Sequence, residues 1–275
     1  MKKTRKFLLG ILLCFIIFLF IGFDSRLETT EYVYQNSKIP VSFDNYKICQ
    51  ISDLHCKYFG NNNQTLLNAI QDMNPDIVVL TGDIVDEDHT DLGSIESLFS
   101  GLNELQIPTY YITGNHELEK DAAKQYAQLQ TLMNTYGVID LDRKTVPLSI
   151  GEDSIYLTGG KWYSKYITQY LKPANPQNFN ILLYHGADFF DLISEYNYDL
   201  ILSGHIHGGV IRLPFVNKGL LGNTGDFFPQ YVSGIYQNGS QTSTMIVSRG
   251  LGDSSIPRFY NRPELVCITL KPLTP

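Results

Sequence analysis

The chain has 275 residues, 43% of them hydrophobic and 18% charged, with a formal net charge of −7. That composition excludes a disordered or fibrous chain and leaves ample material for the core of one large or two small domains. Residues 1–23 hold four basic and no acidic side chains, so the remainder carries 17 basic against 28 acidic residues, a net of −11. Such a surface argues against a nucleic-acid backbone as partner. It does not exclude an anionic substrate at a metal centre, because bound cations dominate their local field. Four cysteines (14, 49, 56 and 267) without C-x-x-C spacing are too few for a disulfide scaffold.

Lys2, Lys3, Arg5 and Lys6 precede an uncharged apolar run of 17 residues, Phe7 to Phe23, which ends at Asp24. A run of that length sits at the lower edge of a bilayer span (roughly 17–25 residues), exceeds the core of a signal peptide (about 7–15), and has no A-x-A-like site after it. Residues 1–23 therefore read as a retained single-pass membrane anchor, with secretion after signal cleavage as the alternative. The basic cluster stays cytoplasmic, so the remaining chain lies outside. Residues 24–40 read as a juxtamembrane linker with one short strand, Glu31 to Gln35, and residues 41–275 as the folded, catalytic domain.

Strands are expected at Tyr46–Ser52, Asp76–Thr81 and Thr109–Thr113, alternating with helices at Leu66–Met73, Ser94–Leu105 and Leu118–Tyr136, the last closed by Gly137. Such alternation implies right-handed crossovers and a largely parallel sheet. From residue 138 the pattern changes. Val138–Ile150 and Ser154–Thr158 read as antiparallel strands joined by a turn at Gly151–Asp153. Ile181–Tyr184 and Leu200–Leu202 read as strands around a helix at Ala187–Tyr196. Residues 210–240, rich in Gly, Pro and Asn, read as loop, and Thr244–Ser248 and Leu265–Leu270 as closing strands. The fold class is α/β, with a second, mixed sheet packed on the first.

Each apolar strand ends in polar residues of one kind. The endings are Asp53-Leu54-His55, Gly82-Asp83-Ile84-Val85-Asp86, Gly114-Asn115-His116-Glu117, His185-Gly186 and Gly204-His205-Ile206-His207. Ligands of open α/β sheets bind beyond the carboxyl ends of strands, so residues far apart in sequence meet there. Asp, Asn and His without Cys suit borderline to hard cations such as Mn²⁺, Fe or Zn²⁺. One such motif alone is an ordinary turn or cap. Five in order on five strand ends point to a metal centre.

The order D-x-H, G-D-x-x-D, G-N-H-E, H, G-H-x-H resembles the calcineurin-like metallophosphoesterase superfamily over about residues 40–270. The opening IPVSFDNYKICQISDLH and the closing SRGLGDSSIPRFYNRPELVCITL are similar to its bacterial membrane-anchored or exported branch, which includes hydrolases of UDP-2,3-diacylglucosamine. The resemblance implies a four-layer α/β/β/α sandwich of two mixed sheets flanked by helices. It also implies that Asp53, His55 and His207 bind one divalent metal ion, that Asn115, His185 and His205 bind a second, and that Asp83 bridges both. His116 would contact phosphate or, in the leading reading, protonate the leaving oxygen, and Asp86 would orient His116, unless Asp86 is simply an N-cap. Two cations about 3.5–4 Å apart share a water and lower its pKa towards about 7, and the resulting hydroxide attacks phosphorus in line.

Protein phosphatases of the superfamily carry arginines where Glu87 and Thr113 stand here, which weakens that reading. His89 reads as part of a solvated loop, with an outer role at the site as the alternative. Cys56 reads as a packing residue rather than a thiol nucleophile. Arg249, Arg258 and Arg262 read as holding the C-terminal loop, with substrate contact as the alternative. Val210–Leu221 reads as a strand and turn of the second sheet, with membrane or acyl-chain contact as the alternative. The leading function is hydrolysis of a phosphodiester or pyrophosphate in an envelope or lipid-linked substrate. Two others compete: a broad phosphomonoesterase or phosphoprotein phosphatase, and a metal-bound scaffold without catalysis.

Overall fold

The computed structural model describes residues 2–162, 167, 169–214, 218–222, 225–254 and 256–273. Helix α1 (Lys2–Gly22) is followed by strand β1 (Glu28–Asn36) and β2 (Lys47–Ile51). Next come α2 (Gln64–Met73), β3 (Ile77–Leu80), α3 (Gly93–Glu104), β4 (Thr109–Tyr111), α4 (Ala123–Tyr136) and β5 (Ile139–Asp140). The second half contains β6 (Thr145–Ile150), β7 (Asp153–Gly160), β8 (Asn180–Gly186), α5 (Phe190–Ile193) and β9 (Leu200–Gly204). It ends with β10 (Ile211–Arg212), β11 (Gly219–Leu221), β12 (Gly234–Gln237), β13 (Thr244–Val247) and β14 (Glu264–Pro272).

Two six-stranded sheets form, in the orders β1-β14-β2-β3-β4-β5 and β12-β13-β9-β8-β7-β6. Strands β2 to β5 run parallel, as do β13, β9, β8 and β7. β14 is antiparallel to β2, and β6 to β7. The apolar runs are continuous because each central strand is covered on both faces. Alternate residues divide between them: Ile48, Ile77, Val79, Ile181, Leu183, Leu200 and Leu202 face the space between the sheets. Cys49, Ile51, Val78 and Leu80 face Leu66, Ile70, Leu98, Phe99 and Leu129 of helices α2, α3 and α4. On the other outer face, Leu182, Tyr184, Ile201 and Met245 pack against Phe190 and Ile193 of α5 and against Ile167. Three apolar layers make the four-layer sandwich.

Several elements differ from the sequence reading, each for a physical reason. The strand expected at 31–35 extends over Glu28–Asn36 and pairs with β14 along its whole length, so most of the expected linker is sheet edge. The helix expected from Leu118 starts only at Ala123, because His116–Leu118 form a tight 3-10 turn that carries the site. Gly137 closes that helix in the left-handed conformation at φ 74°, as expected. The stretch expected as one strand from 138 to 150 divides between the two sheets, as β5 and β6. Within the expected loop 210–240, β12 pairs with β13, and β10 and β11 form a small separate sheet instead of joining the second one. Residues 215–217 and 223–224 of that stretch lie outside the described residues.

Candidate metal centre

The carboxyl ends of β2, β3, β4, β8 and β9 meet at one end of the sandwich. Tight turns there put several site residues in the left-handed region: Asp53 (φ 49°), His55 (46°), Asp83 (52°), His205 (77°) and His207 (49°). Such strain at non-glycine residues costs free energy and persists only where the surroundings over-determine it. A pairing irregularity between Leu183 and Gly186 of β8 re-aims His185 toward the first sheet. Gly114 must be small, since a Cβ there would collide with the Asp83 carboxylate and backbone.

Two groups of side chains converge. Ligand atoms of Asp53, His55 and His207 lie within 4.8 Å of one another, and so do those of Asp83, His185 and His205. A third such set, His55, Asp83 and His116, links the first two. His55 Nε2 and His207 Nε2 face each other at 3.2 Å, with Asp53 Oδ1 3.5 Å from His207 Nε2. His185 Nε2 lies 2.9 Å from Asp83 Oδ2, 4.0 Å from Asp53 Oδ1 and 3.2 Å from Asn115 Oδ1. All seven residues expected as ligands are thus brought together, and the carboxylates and His185 are buried.

Neighbouring groups fix the orientation of this set. His185 Nδ1 must donate to the Thr81 carbonyl at 2.8 Å, which turns Nε2 into the site. Asp53 accepts the His205 backbone N–H at 3.0 Å, and Asp83 accepts that of His116 at 2.9 Å. Burial acts against a charge on His185, but the Asp83 carboxylate outweighs it and pushes the imidazole up to about 10. Burial, then the adjacent His185, pushes His205 down to about 4. Burial, with His55 and Arg258 beside it, holds His207 well below the usual range.

The donor set fits divalent cations. Two ring nitrogens turned on one point form an arrangement that a proton satisfies only once and a cation satisfies fully. Oxygen and imidazole donors without thiolate match Mn²⁺, Fe or Zn²⁺. Cys56 stays outside this set: its thiol meets the Ile84 carbonyl at 4.0 Å, and burial pushes it up to about 12.

One expectation is corrected. Asp86 does not reach His116. Its carboxylate accepts from His89 Nδ1 at 2.8 Å and lies 3.5 Å from His55 Nδ1, and it accepts the N–H groups of Asp88 and His89 in a local turn. Burial disfavours the Asp86 charge, but His55 and His89 outweigh it and hold the carboxyl below its ordinary range. The partner of His116 is the next residue: Glu87 Oε2 lies 2.8 Å from His116 Nδ1, with Glu119 Oε2 at 3.7 Å. Aspartate at 86 is too short and is turned inward, whereas the glutamate points to the half-exposed rim. Burial works against a proton on His116, but Asp83 and Glu87 raise its pKa above the ordinary value.

Other residues at the site were not assigned in the sequence. Glu117 is fully buried and accepts four backbone N–H groups, from Asp83 (3.0 Å), Ile84 (2.6 Å), Val85 (3.2 Å) and Gly114 (2.7 Å). It ties the second strand end to the third, and burial followed by Asp83 pushes it up to about 7. The signal was present as the last letter of G-N-H-E. Trp162 walls the second group, its ring 5.4 Å from His185 and 5.0 Å from His205. The three C-terminal arginines hold the loop. Arg258 donates to the carbonyls of Gly252 and Arg249, Arg249 pairs with Glu28 and Glu264, and Arg262 donates to the carbonyls of Arg26 and Leu27.

A model of the calcineurin-like phosphoesterase family matches residues 46–209, a span that holds every residue of the two groups together with His116. YkuE, a metallophosphoesterase of Bacillus subtilis, is 33% identical over 257 residues, covering 89% of this chain and 86% of its own. A metallophosphoesterase of Aquifex aeolicus is 25% identical over 275 residues, covering 91% and 96%. YaeI of Escherichia coli, which bears the name phosphodiesterase, is 26% identical over 239 residues, covering 82% of each chain. The chain belongs to the calcineurin-like phosphoesterases: it is a metallophosphoesterase, a hydrolase of phosphoester bonds from a family that works with paired divalent metals.

Proposed function

We propose that the chain hydrolyses a phosphodiester or pyrophosphate bond in a lipid-linked or other envelope substrate, from a retained N-terminal anchor and with the domain outside the membrane. The observation that carries the reaction is the linkage of the two ligand groups through Asp83 and His55, with His116 beside them. Asp53, His55 and His207 would hold one ion, and Asn115, His185 and His205 the other, with Asp83 between. Two such cations supply a low-pKa water and offset the charge of the phosphoryl oxygens.

The chain's own contribution is proton control at the rim. Glu87 accepts from His116 Nδ1, which leaves Nε2 to carry a proton to the departing oxygen. Asp86 fixes His55 in the same way, by its other nitrogen. The diester reading is supported by the name of the YaeI relative and by Glu87 and Thr113, which stand where phosphoprotein phosphatases have arginines. The anchor reading is supported by α1. Lys3–Gly22 is 20 residues long and apolar enough to cross a membrane, at about 1.5 Å per residue. Its end also packs on the folded domain, which a cleaved signal has no reason to do.

The test is turnover by the purified full chain in detergent with Mn²⁺, comparing bis-p-nitrophenyl phosphate with p-nitrophenyl phosphate. A preference for the diester is expected. A clear monoester preference overturns the diester reading, and no turnover of either under several metals favours the scaffold.

A further inference from the structure

The metal-bearing rim and the foot of α1 lie at the same end of the sandwich. β1 is parallel to β14, which is antiparallel to β2, so β1 begins where β2 ends. The contacts agree: Glu28 pairs with Arg249, and Leu251 N–H donates to the carbonyl of Ser52, next to Asp53. Helix α1 therefore leaves the domain from its catalytic end.

A short ladder runs from that foot across the rim. Phe259 packs on Phe18 and Phe23 of the helix end, with ring centroids at 5.6 and 4.9 Å. Tyr260 N–H donates to the Gly22 carbonyl at 2.6 Å, and its hydroxyl donates to that of Phe18 at 3.2 Å. Gly22 has no room for a Cβ beneath the Phe259 ring. Phe259 bridges Ile211 of β10, β10 pairs with β11, and Leu221 of β11 bridges Phe227. Phe228 N–H then donates to the Leu220 carbonyl at 3.2 Å. Three inter-strand steps place Phe227 about 14 Å from Phe259. The ladder continues directly from the ligand turn His205–His207, and Asn261 Nδ2 donates to the His207 carbonyl at 2.6 Å.

Its outer edge is apolar and open. Phe227 is 73% exposed, Phe228 61% and Leu213 38%, and Phe20 and Phe23 at the helix end are 82% and 55% exposed. Asp24, Arg26 and Arg262 form a charged collar where the helix meets the domain. Large exposed aromatics in one patch mark an interaction surface, and aromatics near a span end suit the membrane–water interface. The net of −11 outside the first 23 residues would repel an anionic surface, so apolar contact must dominate.

We propose that the ladder from Phe259 to Phe228 is a lipid-contact platform that, together with α1, holds the metal-bearing rim against the headgroups of the bilayer. The platform rests on the anchor reading and extends it: the site meets a phosphoester at the membrane surface, not one free in solution.

The experiment uses the full chain in nanodiscs of zwitterionic phosphatidylcholine, with and without brominated acyl chains. The chain has one native tryptophan, Trp162. Phe227→Trp is expected to lose roughly half of its added emission to brominated lipid, with a blue shift, as an interfacial aromatic does. Ile150→Trp serves as the control. It is 38% exposed on the β6–β7 hairpin, at the amino ends of the parallel strands, and is expected to stay unquenched. Co-elution of the chain with the discs and an unquenched Phe227→Trp overturn the platform alone. Failure to co-elute overturns the anchor and the platform together. Turnover of the soluble diester by the same variants reports separately on the phosphoesterase reading.

Discussion

The metal-bearing rim and the β10–β11 ladder sit side by side at one end of the sandwich and are built in opposite ways. The metal-bearing site is largely buried and strained, and its groups are held from several sides: the Thr81 carbonyl turns His185, Asp86 flanks His55, backbone N–H groups hold Asp53 and Asp83, and Glu117 ties the strand ends together. The ladder has two strands of two and three residues and presents phenylalanines to its surroundings. The contrast teaches that precision and adaptability are divided between neighbours. Chemistry on phosphorus needs ligands held to a fraction of an ångström, whereas contact with a fluid surface needs only apolar area.

Substitutions can break or sharpen this contrast. The largest effect is expected at the proposed acid: His116→Ala should lower turnover of an alkyl-leaving-group diester by about 10²–10⁴-fold while metal content stays unchanged. Full activity in that variant would remove His116 from the chemistry. Glu117→Gln comes next. It would face two of its four N–H donors with a third donor, and should destabilise the domain by about 2–4 kcal/mol, read as a lowered denaturation midpoint. An unchanged midpoint would mean that Glu117 does not tie the strand ends.

The adjacent carboxylates should then separate cleanly. Asp86→Asn acts through His55, so metal affinity should fall about 10–100-fold, measured by competition with a chelator. Glu87→Gln acts through His116, so metal affinity should stay and turnover should fall about tenfold with poor leaving groups, less with p-nitrophenol. In a His116→Ala background Glu87→Gln should add nothing, and an additive loss would place Glu87 elsewhere. The smallest effect belongs to the ladder: Phe228→Ser should change stability in detergent by less than about 0.5 kcal/mol, because that side chain packs on little. A large loss would make Phe228 part of the core and remove it from the surface.

How far each region was legible in the sequence follows from the same contrast. The convergence of the candidate ligands was legible because a metal centre demands particular residue types at strand ends, and Asp53, His55, Asp83, Asn115, His185, His205 and His207 do lie together. The sheet strands were legible because burial on both faces leaves long apolar runs, as in β3 and β8. The partner of His116 was not legible, because a choice between neighbouring carboxylates at 86 and 87 depends on side-chain length and the direction of a turn. The length of β1 was hidden because its pairing with β14 spans more than 200 positions of sequence. The ladder was only half legible: a strand and turn were expected in Val210–Leu221, but the pairing of β10 with β11 and the bridges to Phe259 and Phe227, which keep them apart from the second sheet, depend on contacts distant in sequence.

The most direct measurement is metal content of the purified full chain against turnover. At saturating Mn²⁺, wild type should retain two ions per chain and hydrolyse bis-p-nitrophenyl phosphate. Asp83→Ala, at the junction of the two ligand groups, should lose both the second ion and turnover. Full hydrolysis with one ion per chain, or with Asp83 removed, would contradict a dinuclear centre.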